Sequence, residues 1–315
     1  MGDLISIIVP CYNEEEALPF LYNALCDVRK EVKDHDFEFI FVNDGSRDKT
    51  SEVIKKFAAE DKDVRYIIFS RNFGKEAAMY AGLKKSKGDM VAIMDADMQD
   101  PPSLIPSMIK SIENNEADIV ASRRVNREGE PKIRSFFARM FYKLINRMVD
   151  VEIADGARDF RLMTRQVTDA ILELQERQRF SKGIFAWVGF RTKWIEFVNT
   201  ERIAGETKWS FWKLFKYAID GIVAFTTAPL RLATYLGFGF AGLGFFYLVY
   251  YFIRAIILRI YNEVPGYPSL LCFILFIGGL TLMSLGILGE YIGRTFIEVK
   301  RRPLYVTAED SDKNS

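Results

Sequence analysis

Histidine is nearly absent from these 315 residues: His35 is the only one. A His-rich metal centre and a catalytic triad using a second histidine are therefore excluded, and His35 itself reads as a surface residue of the turn before the second strand. Cysteine is scarce too. Cys11, Cys26 and Cys272 stand far apart, without the close pairs that a zinc site or a disulfide framework needs, so each reads as a small apolar packing residue. Charge of one sign is also missing: Lys+Arg 43 against Asp+Glu 42 leaves a formal net charge of +1. No global field selects nucleic acid as a partner. The opening segment, Met1–Pro10, is acidic and lacks the 7–15-residue apolar stretch of a signal peptide, and it reads directly as a strand that starts in the cytosol.

What the chain has is divided unevenly. Up to about Lys208 it is charged like an ordinary soluble enzyme, whereas Leu232–Gly289 is nearly free of charge. In the first part, short Ile/Val/Phe-rich runs predict strands at Leu4–Pro10, Phe37–Asn43, Val64–Phe69 and Met90–Met94. Apolar residues at helical spacing predict helices at Ala17–Val32, Asp48–Ala59, Lys75–Ser86 and Ser103–Asn114. A further strand is expected at Ile119–Ala121, and an amphipathic helix at Pro131–Val149 whose basic face suits either solvent or anionic headgroups. The alternation predicts an α/β fold with a mostly parallel sheet covered on both faces. Ligands of such sheets sit at the carboxyl ends of strands, and polar clusters follow each of the first four strands.

The remainder reads as membrane-associated. Trp209–Thr227 mixes Trp, Phe and Lys in the manner of a helix lying in the interface. Leu232–Ile253 and Val264–Gly289 are uncharged runs of about 22 and about 26 residues, each long enough to span hydrocarbon. Lys213, Lys216 and Arg231 precede the first run, and Arg294, Lys300, Arg301 and Arg302 follow the second, which places both flanks in the cytosol. The expected organisation is a cytosolic catalytic domain at 1–208, interfacial helices at 209–231, a two-helix transmembrane domain at 232–293 and a cytosolic basic and polar tail at 294–315. Glu309–Ser315 is expected to be disordered.

The sharpest chemical feature is Asp95-Ala96-Asp97-Met98-Gln99-Asp100. In an extended segment Asp95 and Asp97 fall on one side, where two carboxylates repel unless a cation lies between them. Hard oxygen donors suit Mg²⁺ or Mn²⁺, with diphosphate oxygens completing the shell. Its task would be to stabilise charge on a leaving nucleoside diphosphate. Pro10-Cys11-Tyr12-Asn13-Glu14 and Asn43-Asp44-Gly45-Ser46 are candidates for holding the nucleotide, Asp44 by accepting from a base N–H and Tyr12 by covering a ring face. Each cluster alone is also compatible with turn chemistry or a helix cap. Ser70-Arg71-Asn72-Phe73-Gly74-Lys75 adds two cations near the diphosphate.

These segments resemble glycosyltransferase family 2, and within it the polyprenyl-phosphate branch of bacterial undecaprenyl-phosphate (bactoprenol) glucosyltransferases and dolichyl-phosphate mannose synthases. The resemblance continues through Ala121-Ser122-Arg123-Arg124, Asp159-Phe160-Arg161-Leu162-Met163 and Arg202–Ser210 to the paired apolar runs. It implies a GT-A domain, a divalent metal, inversion at the anomeric carbon and a polyprenyl (undecaprenyl) phosphate acceptor. Asp95, Asp97 and Gln99 would hold the metal. Pro10, Tyr12, Glu14, Asp44, Lys75 and Ala96 would bind the nucleotide-sugar. Arg123, Arg134, Arg139, Arg202 and Lys208 would face the donor diphosphate or the acceptor phosphate, with Asp159, Asp97 and Arg123 catalytic. Asp159 stands where a general base is often placed, although its lead-in, Gly156-Ala157-Arg158, departs from a Thr/Gly pattern. A phosphate monoester with a second pKa of roughly 6 is already ionised at neutral pH, so Asp159 reads better as orienting the acceptor or an arginine such as Arg161.

The resulting expectation is an enzyme of the bacterial inner membrane, multi-pass, with a cytosolic active site. It moves a hexose, glucose first and N-acetylglucosamine second, from a UDP-sugar to the lipid phosphate by one in-line displacement. Membrane lipids, a homo-tetramer, a downstream flippase and an extracytoplasmic glycosyltransferase are the partners the resemblance suggests. A processive polysaccharide synthase is the rival, but Gln175–Phe180 lacks its Gln-x-x-Arg-Trp spacing.

Overall fold

A computed structural model describes residues 3–124, 157–197, 228–253 and 267–313. The chain divides into two compact units, Met1–Gly221 with Arg302–Ser315, and Ile222–Arg301.

The first unit is built on one eight-stranded sheet. Its early strands are β1 (Leu4–Cys11), β2 (Asp36–Asn43), β3 (Val64–Phe69), β4 (Met90–Ile93) and β5 (Ile119–Arg124); β6 (Ala157–Thr164), β7 (Thr192–Phe197) and β8 (Thr307–Asp310) complete it. The order is β7-β5-β6-β4-β1-β2-β3-β8. Helices α1 (Leu18–Glu31), α2 (Thr50–Glu60), α3 (Lys75–Lys85) and α4 (Ile105–Glu113) alternate with the first five strands as the periodicity predicts, each boundary moving by at most a few residues. Two further helices, α5 (Arg165–Glu173) and α6 (Ser181–Trp187), flank the later strands.

Strands this apolar are buried on both faces. Ile5, Ile7, Val9, Phe37, Phe39 and Phe41 form one core with Leu18, Leu21 and Leu25 of α1, Ile54 and Phe57 of α2, and Met108 of α4. Each fully buried side chain of this size stabilises by about 1.5–3 kcal/mol relative to exposure. On the other face α3 packs against β1 and β2 through a row of small residues, Ala77, Ala78, Ala81 and Gly82. A Cβ at Gly82 would lie 2.2 Å from Ile8 Cγ2, so only glycine permits this approach.

The sheet is more mixed than the alternation suggests. β1–β2, β1–β4, β2–β3 and β5–β7 are parallel, whereas β4–β6, β5–β6 and β3–β8 are antiparallel. The reversal at β6 matters for the site. Ile93 of β4 lies opposite Arg161 of β6, so two residues further on, Asp95 and Asp159 come level. The expectation of disorder after Glu309 is corrected: Glu309 pairs with Ile68 in the β8 ladder, and a short 3-10 turn follows at Ser311–Lys313. Ladder bonds and four ion pairs, Lys55–Glu309, Arg65–Asp312, Lys85–Asp310 and Lys85–Asp312, order a segment that composition alone reads as free.

In the second unit, α7 (Ala228–Phe252) and α8 (Tyr267–Val299) are 25 and 33 residues long. Their rings meet at Phe240 and Phe276, 5.2 Å between centroids. Leu232, Phe238, Phe246 and Leu282 turn outward. Among the described residues one helical segment, Phe276–Val299, is long and apolar enough to cross a membrane by length and composition. The expected helix at Pro131–Val149 and nearly all of the expected interfacial segment 209–231 lie outside the described residues.

Candidate active site

The polar clusters that follow β1, β2, β3 and β4 are joined in sequence by hydrogen bonds. Asn13, in the left-handed region at φ 56°, receives its tie from Ser46 Oγ, which accepts Asn13 N–H at 2.9 Å, while Asn13 Oδ1 accepts from Arg47 N at 2.9 Å. Glu14 N–H goes to Thr50 Oγ1 at 2.9 Å. The loop carrying Tyr12 and Glu14 is thereby laced to the start of α2. Asn43, fully buried, accepts from Ser46 N at 2.9 Å and donates to Ser51 Oγ at 2.7 Å.

Asp44 makes the next link. It is buried, and its two oxygens accept from Phe73 N at 2.6 Å and Gly74 N at 2.9 Å. Burial pushes its pKa up, against the pull of these two backbone donors. Both oxygens thus already organise the turn before α3, a structural task beyond the base contact read from the sequence. Gly45 lets the strand-end loops touch: its φ is +66°, and a Cβ there would lie 2.4 Å from the Arg71 carbonyl carbon.

That turn delivers Lys75 into the centre of the site. Its Nζ is 2.6 Å from Asp95 Oδ1 and also pairs with Asp159 Oδ2. Burial disfavours both charges, but Asp159 and Asp95 outweigh it and hold the ammonium strongly protonated. Burial is likewise outweighed at Asp159, where Lys75, then Lys182, drive the carboxyl far below the usual carboxylate range. A carboxylate held this firmly ionised is a poor proton acceptor. Arg161 does not reach the Asp159 carboxylate; it donates to the main-chain carbonyls of Arg158 at 2.8 Å and Asp159 at 3.2 Å and lies 3.6 Å over the Phe185 ring. Burial lowers its pKa to about 10. Its guanidinium props the backbone beneath Asp159.

The acidic loop turns sharply after β4. Ala96 is buried, while Asp95 and Asp97 are half-buried. Asp97 Oδ1 accepts from Gln99 N at 3.1 Å, and Met98 between them takes φ 59°. Among the described residues no group of three or more His, Cys, Asp or Glu gathers as a metal centre. Asp95 and Asp97 offer hard carboxylate oxygens, a donor set that fits a divalent cation finishing its coordination on phosphate oxygens and water and does not fit zinc. Gln99, the third ligand by resemblance, has its Oε1 3.2 Å from Arg158 Nη2.

Of the other expected residues, Pro10, Tyr12 and Glu14 lie at the end of β1, and half-buried Arg123 sits on β5 opposite Ala157. Arg134, Arg139, Arg202 and Lys208 lie outside the described residues. Two contributors escaped the sequence reading. Arg158 pairs with Asp100, and Glu76 accepts from Ser181 N and Oγ, tying α3 to α6. Arg158 had a signal, an unexpected charge in the lead-in to Asp159; Glu76, on a helix face beside Lys75, had none.

The carboxyl ends of β1–β4, where α/β sheets bind their ligands, carry the acidic loop after β4 and the Lys75 ammonium that joins Asp95 to Asp159. The glycosyl transferase family 2 profile matches residues 6–172, and the GtrB C-terminal hairpin profile matches residues 228–295. The chain belongs to glycosyl transferase family 2, and it is a glycosyltransferase. It is 45% identical over 99% of its length to the putative glycosyltransferase CsbB of Bacillus subtilis (strain 168), covering 93% of that protein. It is 44% identical over 96% of its length to the prophage bactoprenol glucosyl transferase homolog of Escherichia coli (strain K12), covering 97% of it. The bactoprenol glucosyl transferase of Shigella phage SfV is 43% identical over 98% of this chain and 99% of its own.

Proposed function

We propose that this enzyme transfers glucose from UDP-glucose to undecaprenyl (bactoprenol) phosphate, with inversion, to give a lipid-linked monosaccharide. The observation that carries the reading is the Asp95–Lys75–Asp159 bridge, which in this reading would join a donor-side carboxylate to an acceptor-side one, in a chain whose near full-length relatives bear the name bactoprenol glucosyl transferase. The donor would lie over Pro10, Tyr12, Glu14, Asp44 and Ala96. Asp95 and Asp97, with Gln99, would hold Mg²⁺ or Mn²⁺, which supplies charge stabilisation to the departing diphosphate. Arg123, Arg134, Arg139, Arg202 and Lys208 would hold the two anionic reactants together.

One step suffices. A phosphate oxygen of the lipid attacks the anomeric carbon, the C–O bond to the diphosphate breaks, and UDP departs with the bonding pair. With a phosphate pKa of roughly 6, no strong base is required, and the depressed pKa of Asp159 supports a role for it in holding Lys75 and the acceptor rather than in proton removal. In this reading 1–208 is the cytosolic catalytic domain, 209–231 lies on the inner membrane of a bacterium, 232–293 crosses it twice, and 294–315 returns to the cytosol. A homo-tetramer, a flippase and an extracytoplasmic glycosyltransferase belong to the same proposal.

The test is a donor panel. The full chain in detergent, with undecaprenyl phosphate and Mg²⁺ or Mn²⁺, is offered UDP-glucose, UDP-N-acetylglucosamine and GDP-mannose, and products are identified by mass spectrometry. A glucosylated lipid phosphate from UDP-glucose alone is expected. Preference for another sugar overturns the donor assignment, and a polymer overturns the reaction.

A further inference from the structure

Asp100, which ends the acidic loop, is 1% exposed, whereas Asp95 and Asp97 are half-buried. A carboxylate so enclosed needs a cationic partner, and Arg158 supplies it. Its Nε–H is shared by Asp100 Oδ1 at 3.1 Å and Oδ2 at 3.2 Å, and its Nη2 reaches Gln99 Oε1 at 3.2 Å. Ser122 Oγ of β5 stands 3.5 Å from Asp100 Oδ1. Arg158 is the residue before Asp159 on β6. Two consecutive residues of one strand therefore grip the 95–100 loop at its two ends: Arg158 holds Gln99 and Asp100, while Asp159 holds Asp95 through Lys75.

Between these grips the backbone is strained. Met98 takes φ 59°, a conformation that a side chain of this kind keeps only where its surroundings impose it. Asp97 Oδ1 accepts from Gln99 N, so the placement of Gln99 bears on where the Asp97 carboxylate points.

We propose that Arg158 is a positioning residue for the cation-binding loop: its Nε–H fixes Asp100, its Nη2 fixes the Gln99 side-chain amide, and the two contacts together help set Asp97. The proposal rests on the reading of Asp95 and Asp97 as cation ligands. A lysine at this place would neutralise Asp100 but has no planar fork with which to hold Gln99 as well, which makes Arg158→Lys the informative change.

The test follows metal-free and metal-bound states of the full chain separately. In the metal-free protein, amide hydrogen exchange over residues 97–100 rises about tenfold in Arg158→Lys relative to the parent. Titration with Mn²⁺ alone, reading free Mn²⁺ by electron paramagnetic resonance, shows binding weakened by about tenfold or more, the scale on which groups behind metal ligands act. Where Arg158→Lys does not fold, the Asp100→Asn/Arg158→Gln pair, which removes both buried charges together, is measured in its place. Parental exchange in a folded variant overturns the clamp, and raised exchange with a measurable but parental Mn²⁺ affinity overturns its role in positioning the cation-binding loop. A parent that binds no Mn²⁺ sinks the cation reading instead, while raised exchange in the variant still establishes the clamp.

Discussion

Asp95 and Asp97 differ in what already holds them. Asp95 faces the Lys75 ammonium, whereas Asp97 accepts a backbone N–H within its own turn. Replacing Asp97 by Asn preserves that turn bond and removes the charge. The expected outcome is a fall in kcat of about 100-fold or more with an unchanged melting temperature, since an electrostatic contact to charge developing on a leaving group is of this size. Retention of full turnover by Asp97→Asn would remove the metal from the mechanism. Radiolabelled glucose recovered in the organic phase gives the rate. At this scale the sequence was a good guide to identity and a poor guide to partners. The Asp-x-Asp spacing announced the carboxylates, yet nothing along the chain says that Lys75 reaches both Asp95 and Asp159, 84 residues beyond it, or that Asp44 has both oxygens committed to backbone.

Elements place those residues. The first four strands and helices were legible because each carries its own period: a short β-branched run, then apolar residues at helical spacing. β6 was not, because its sequence, ARDFRLMT, carries three charged residues in its first five positions, two of which serve the site rather than the core. Its antiparallel direction is set by pairing between β4 and β5, which no local signal encodes. The strand-end loops show how tightly the parallel half is joined. Gly45 holds φ +66° with the Arg71 backbone against it, so Gly45→Ala combines an unfavourable backbone conformation with a collision that neither loop can escape alone. A loss of about 2 kcal/mol or more is expected, read as a lower urea midpoint, together with a raised KM for the donor as the Tyr12 and Lys75 loops separate. A variant as stable as the parent would show that the two loops move independently.

Across the whole molecule, the strand that composition hides is β8. Arg65 links Glu38 at 2.6 Å on one side to Asp312 on the other, and Lys85 joins Asp310. Hydrogen bonding from Arg65 holds the Asp312 pKa at about 2. The folded value lies below the ordinary carboxylate value of about 3.9, so this stabilisation is complete above that pH and disappears as pH falls through the folded pKa. The gap in urea midpoint between the parent and Asp312→Asn should be full at about pH 6 and shrink steadily below about pH 4; a gap that stays constant down to about pH 3 would assign the stabilisation to something other than this ion pair. Disorder was expected here because a short polar stretch has no core of its own, and the sheet edge that orders it lies 247 residues away in sequence. That separation has a meaning in time. At about 5–20 residues per second, a ribosome that has finished β3 needs about 10–50 s more to deliver its last neighbour, and both long apolar helices emerge during the wait. Until then the β3 edge offers unpaired amides to any passing strand, so sealing of the sheet comes after the hydrophobic hairpin has been made.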